Sequence, residues 1–281
     1  MGQNSGDGKS RGQLERMQED SWDLLIILDA CRFDFFEQEY RGYLEGRLEK
    51  VESPASCTIN WLKAHFPSFY PDVHYVSASP YVNSKGVSKE GWKATDHFST
   101  DKVHDVWEFG WSDEKNTVLP GEVARSTREI LEKKSEEERC IAHFMQPHEP
   151  YLSLSENHTI REGKYHEKEG ESLLKNLRRK LGPAILPFTG MKKIFQIRQL
   201  LGLNPSIDGE NLWRNLDLKT WRKAYRENLR IVLEVLPGLI ESVSGTVVVT
   251  SDHGEALGDQ GLYLHPMGVD VPVLRQVPWF T

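Results

Sequence analysis

Five apolar residues in a row, Leu24-Leu-Ile-Ile-Leu28, follow Trp22-Asp23 and stop abruptly at Asp29. A continuous apolar run of that length, without alternation, marks a strand buried on both faces, as in a parallel sheet. Three later segments read the same way: 73–77 (VHYVS), 140–145 (CIAHFM) and 246–251 (TVVVTS). Between them the spacing turns helical. Val123, Ile130 and Leu131 stand among charges in 123–133, and Leu218, Trp221, Tyr225, Leu229, Val232, Leu233 and Leu236 recur at helical intervals in 218–239. Alternating strands and helices predict an α/β sandwich with a mostly parallel central sheet. Ligands in such sheets sit beyond the carboxyl ends of the strands. Asp29, the 146–151 segment and Asp252 all fall just past such ends, so a shared site is expected there.

The stretch from about 154 to 216 breaks this rhythm. Gly182-Pro183, Pro187, Gly190, Gly202 and Pro205 interrupt it, and Leu173, Leu174, Leu177 and Leu181 alternate with Lys175, Arg178, Arg179 and Lys180. It reads as a basic helical insertion in a single domain spanning 22–281, preceded by a disordered lead-in over 1–21. The basic stretch 173–203 suits peripheral contact with a membrane-surface lipid, since basic faces attract anionic head groups. Across all 281 residues the formal charge is −7, which argues against nucleic acid as a partner. No apolar run is long enough to span a bilayer or act as a secretory signal. Cys31, Cys57 and Cys140 form no CxxC pair, and a reduced, cytoplasmic setting is expected.

The sharpest chemical signal is Ser251-Asp252-His253-Gly254-Glu255, directly after a predicted strand. Adjacent Asp and His at a strand end can offer an oxygen and a nitrogen to one cation, and Gly254 lets the backbone turn and approach closely. Such a donor pair suits zinc or manganese, with magnesium or calcium tolerated in a carboxylate-rich set. His265 follows ten residues after Glu255, within reach of a loop folding back. Asp29 is either a helix cap or a ligand. In Ser53-Pro-Ala-Ser-Cys57-Thr58-Ile-Asn-Trp61, a hydroxyl or thiol opens a helix, where the positive end of the dipole favours its anionic form.

Taken together, ILDACRFD, SPASCTINW, FMQPHEPY and VVVTSDHGEALGDQGLYLHP resemble the alkaline phosphatase superfamily, in its sulfatase-like branch. The resemblance implies a three-layer, doubly wound α/β/α fold. It also implies a divalent metal held by Asp29, Thr58, Asp252 and His253. His148 and His265 would hold a second ion or the anionic oxygens of substrate and serve in acid–base catalysis, and Arg32 is a further candidate for contact with the anion. Ile59 and Trp61 depart from the C-x-P/A-x-R context in which sulfatases convert a cysteine, so Thr58 is preferred to Cys57 as nucleophile. Gln146 stands near the place of an acidic ligand to a second ion, which favours a single tightly bound ion over two.

The implied chemistry is hydrolysis of a phosphate or sulfate ester, with Thr58 attacking in line to give a covalent intermediate. Two alternatives remain at this stage: a transferase passing a phospho-substituent to a sugar or lipid hydroxyl, and a non-catalytic binding protein that keeps the fold.

Overall fold

The computed structural model describes residues 11–154, 193, 195–203 and 210–281. Most of the insertion expected at 154–216, with the basic run from 173 to 192, lies outside these. Among the described residues no helix is long and apolar enough to cross a membrane.

Seven strands make one sheet: β1 (Leu24–Leu28), β2 (Leu48–Glu52), β3 (Val73–Ser77), β4 (Val103–Asp105), β5 (Arg139–Phe144), β6 (Val247–Thr250) and β7 (Gln276–Phe280). Their order is β2-β7-β6-β1-β5-β3-β4. The five from β6 to β4 are parallel, and β7 runs antiparallel to both β6 and β2. The apolar run of β1 lies at the centre, completely buried, because both of its faces are covered.

Residue parity along β1 sorts those faces. Leu24, Ile26 and Leu28 pack with helices α2 (Phe33–Glu39), α4 (Pro120–Leu131), α6 (Leu218–Leu233) and α7 (Leu236–Ile240). Leu25 and Ile27 point the other way, towards Met17 of α1 (Gln13–Glu19) and Trp61 and Leu62 of α3 (Thr58–His65). Side chains alternate across a strand, so one five-residue run holds two helical layers at once. A further short helix, α5 (Glu210–Asn215), precedes α6. The helical pattern expected over 218–239 is divided between α6 and α7, with Pro237 in the first turn of α7, where its missing N–H costs no helical bond.

One expectation changes. The lead-in is structured from well before residue 21: Gln13 in α1 is fully buried and donates through Nε2 to Thr250 Oγ1 at 2.8 Å and to the Ser251 carbonyl at 2.6 Å. Its Oε1 accepts from Trp61 Nε1 at 2.9 Å. A polar side chain that reads as solvated is thus a three-way tie between α1, α3 and the end of β6. Gly254 makes the close backbone approach expected of it. Its N–H donates to the Leu274 carbonyl at 2.8 Å, and a Cβ there would collide with the Val273 carbonyl.

Candidate metal centre and active site

The carboxyl ends of β1 and β6 lie side by side, with Leu25 opposite Val248 and Ile27 opposite Thr250, so the residues that follow them meet. Beyond β1 the chain enters Asp29 and then Ala30 in the left-handed region (φ 59°). The Ala30 N–H donates to Asp252 Oδ1 at 3.0 Å, and the His253 N–H donates to the same oxygen at 2.9 Å. The Ser251 hydroxyl lies 2.6 Å from the carbonyls of Leu28 and His253 and accepts the Cys31 N–H at 2.8 Å, stitching the two turns together.

What these turns present is a cluster of bare ligand atoms. His253 Nδ1 lies 2.8 Å from the Gly254 carbonyl, which can only accept, so Nδ1 carries the proton and Nε2 keeps its lone pair. Around that Nε2 stand Asp252 Oδ2 at 3.2 Å, Asp29 Oδ1 at 3.6 Å and Thr58 Oγ1 at 3.2 Å. Both carboxylate oxygens are buried without a hydrogen-bond partner. Ligands about 2.0–2.1 Å from a tetrahedral zinc stand roughly 3.3–3.4 Å from one another, so this spacing fits the edges of such a site. Asp29, Asp252 and His253 therefore form one candidate cation site, and Thr58 shares its central nitrogen.

Electrostatics point the same way. Burial, then the charge of Asp252, raises the Asp29 carboxyl well above its ordinary range. Burial acts to raise Asp252 too, but His253, His143 and the hydrogen bonds it accepts outweigh it and lower the group. A divalent cation would oppose the rise at Asp29, because it favours the charged form of both carboxyls. Burial pushes His253 down to about 4, which keeps the imidazole neutral and fit to ligate.

Thr58 opens α3, with Cys57 in the preceding cap position. It is the threonine side chain that reaches His253; Cys57 is buried beside it, and burial raises its thiol, which disfavours the thiolate.

A second group gathers at the rim: His148, Glu255 and His265. Glu255, the last residue of the 251–255 motif, is given no role by the sequence alone. Here its side chain is fully buried and both of its oxygens lie 3.3 Å from His265 Nδ1. Burial would lower His265, but Glu255 overcomes it and raises the group to about 9, so at neutral pH it is an imidazolium. Burial and then His265 lower His148. His148 is tied through its N–H to the Asp29 carbonyl at 3.1 Å, and its Nδ1 donates to the Glu149 carbonyl at 2.6 Å. The rings of His265 and His253 are 4.4 Å apart, and those of His265 and His148 5.0 Å, so the two groups adjoin.

Arg32 does not join them. Its Nε and Nη2 are bonded to Asp34 at 2.9 and 2.8 Å, and its Nη1 to Asp259 at 2.8 Å and to the Glu255 carbonyl at 3.2 Å. With its donors engaged and only 6% of the residue exposed, Arg32 braces the turn after β1 and is withdrawn as an anion contact. Gln146 likewise faces inward, donating to the Val118 carbonyl at 3.0 Å.

No protein-family model and no curated protein matches the sequence. Solved structures do. The integral membrane lipooligosaccharide phosphoethanolamine transferase A from Neisseria meningitidis matches over 92% of this chain at a TM-score of 0.54 and 16% identity. The phosphonate monoester hydrolase of Agrobacterium radiobacter matches over 92% of the chain at a TM-score of 0.51 and 14% identity. The fold is that of the alkaline phosphatase superfamily. The chain spans 47% of the transferase and 67% of the hydrolase, so it corresponds to about half of the former. Within the superfamily fold, the two candidate groups sit where a doubly wound sheet places its ligands, past the carboxyl ends of parallel strands.

Proposed function

We propose that this chain is a metal-dependent enzyme that cleaves phosphate or sulfate esters through Thr58. The observation that carries the reading is the pair of buried, unpartnered oxygens, Asp29 Oδ1 and Asp252 Oδ2, facing the lone pair of His253 beside the Thr58 hydroxyl. Burying two carboxyl groups that close, with no hydrogen bond to either of the facing oxygens, is unfavourable, an arrangement that makes physical sense for a cation site. A divalent cation, zinc or manganese by donor type, would lower the pKa of the Thr58 hydroxyl and polarise the ester.

The residues supply the rest. Thr58 Oγ1, its proton lost to solvent, forms the new bond to phosphorus or sulfur as the bond to the leaving alcohol breaks. His265, which holds a proton at neutral pH, protonates that alcohol and, with His148, grips the anionic oxygens. Glu255 keeps His265 charged and fixed in place. The phospho- or sulfo-threonine is then released to an acceptor. Water as acceptor makes the chain a hydrolase, and a sugar or lipid hydroxyl makes it a transferase. The two similar structures bear one name of each kind, which supports keeping both acceptors in view. A second ion held by His148, Glu255 and His265 is the other use of the rim group.

The test is metal analysis of the purified protein, then a panel of nitrophenyl phosphate, phosphodiester and sulfate esters, with and without an added alcohol acceptor. One equivalent of bound metal, with turnover lost in Thr58→Ala, is expected. Turnover unchanged in Thr58→Ala would remove the nucleophile. No bound metal and no turnover after metal addition would favour a binding protein that keeps the fold.

A further inference from the structure

We infer that helix α6 is a splint that aligns the two candidate groups, with Tyr225 and Asn228 as its positioning residues. Both lie on one face of the helix, three residues apart, and both are fully buried. Each grips a different loop, and each loop carries a site residue.

Tyr225 holds the turn after β1. Its hydroxyl donates to the Ala30 carbonyl at 2.7 Å and accepts the Arg32 N–H at 2.9 Å. Ala30 sits at φ 59°, a conformation that disfavours any residue with a Cβ, so something outside the turn must hold it. That same residue's N–H binds Asp252 Oδ1, and its neighbour is Asp29. The phenol therefore holds Ala30 from its carbonyl side, one peptide unit beyond the N–H that meets Asp252.

Asn228 holds the loop bearing His148. Pro147 and Pro150 give that loop two residues without an N–H, and its carbonyls turn to a side chain for donors. The Asn228 Nδ2 stands 3.0 Å from the His148 carbonyl, 3.1 Å from that of Pro150 and 3.4 Å from that of Pro147, and its Oδ1 accepts the Leu152 N–H at 2.8 Å. One turn before, Trp221 Nε1 donates to Tyr151 Oη at 2.8 Å and seats the same loop. Hydrophobic burial would be met by leucine or phenylalanine at these positions; a hydroxyl and an amide are needed only for the backbone they bind.

The inference rests on the cation reading above, and the experiment separates the two. Metal-free full-length protein is titrated with Co²⁺, read by its ligand-field absorption, and the loaded protein is then titrated with inorganic phosphate. Supporting groups around ligands typically tune metal affinity by about 10–100-fold. Tyr225→Phe is therefore expected to weaken Co²⁺ binding by roughly tenfold or more. Asn228→Ala is expected to change Co²⁺ binding by less than about threefold but to weaken phosphate binding roughly tenfold. Leu229→Ala, at a fully buried neighbour whose side chain can make no hydrogen bond to either loop, is the control for loss of stability alone and should leave both affinities unchanged. Wild-type protein that binds no Co²⁺ would remove the cation reading itself. Wild-type binding with Tyr225→Phe and Asn228→Ala indistinguishable from it would remove the splint and leave that reading standing. Equal losses in Leu229→Ala would reduce both to stability effects and overturn the splint as well. Each variant has its own arm, so failure of one to fold leaves the other decisive.

Discussion

The inner and rim groups are built from the same kinds of side chain but are left in opposite states of satisfaction. In the inner group, Asp29 Oδ1 and Asp252 Oδ2 have no hydrogen-bond partner although their side chains are 7% and 0% exposed. In the rim group the carboxylate is met: Glu255 faces His265 through both oxygens, and His265 is a quarter open to solvent. Burial with unpaired oxygens prepares a site for a cation, whereas burial with a charged partner prepares a proton donor and an anion grip. The difference teaches that residue type does not separate the two groups, whereas the partners of their buried oxygens do.

The largest expected effect comes from the junction of the two groups. Thr58→Ala should lower turnover by about three orders of magnitude or more, with the fold intact by circular dichroism, because it removes the proposed nucleophile. A loss below tenfold would sever Thr58 from the chemistry.

Next in size is a reversal of sign. Asp29→Asn should weaken metal binding by about a hundredfold, yet raise the melting temperature of metal-free protein, since it relieves one of two crowded buried carboxylates. The group's folded pKa is raised, so metal-free wild type should lose stability as pH rises from the ordinary carboxylate range, and Asp29→Asn should remove that loss. Parallel changes with and without metal would break the distinction between the groups.

The rim group predicts a different window. His265 holds its proton in the folded state up to about 9 and in the unfolded state only to about 6.5. The stability it contributes is therefore fully present below pH 6.5 and lost as pH climbs to 9. On the order of 1–2 kcal/mol, discounted for its partial exposure, should vanish across that range in chemical denaturation of wild type and not of His265→Gln. A loss of the same size in both proteins would detach it from the Glu255 pair.

The smallest effect lies furthest from the chemistry. Gln13→Ala breaks the tie of α1 to Thr250, Ser251 and Trp61 and should cost about 1–3 kcal/mol of stability, measured by denaturation, with ester specificity unaltered.

Much of this was legible in the chain, for identifiable reasons. The run LLIIL ending in Asp29 reads as a doubly buried strand, and DHGE after a second such strand puts two candidate ligands at a neighbouring end. Thr58 and His148 followed from motifs read together in order. The rest depended on contacts that sequence separation hides. Glu255 and Arg32 are both charged residues near ligands; only packing shows that Glu255 turns inward to His265 while Arg32 is claimed by Asp34 and by Asp259, 227 positions away. Tyr225 carried a helical apolar signal and nothing more, because the hydroxyl's partners lie 195 and 193 residues distant. The C-terminal VPVLRQVPWF reads as a segment passing back to the sheet, but its antiparallel pairing with β2 and β6 is hidden because Pro278 interrupts the strand pattern.

The most direct measurement of the central claim is the metal content of full-length protein, followed by the ligand-field spectrum after Co²⁺ substitution, in wild type and in Asp252→Asn. The expected result is one tightly held ion per chain in tetrahedral geometry, with affinity down about a hundredfold or more in the variant. Wild type that takes up no ion, or takes it up equally well without the Asp252 carboxylate, would contradict it.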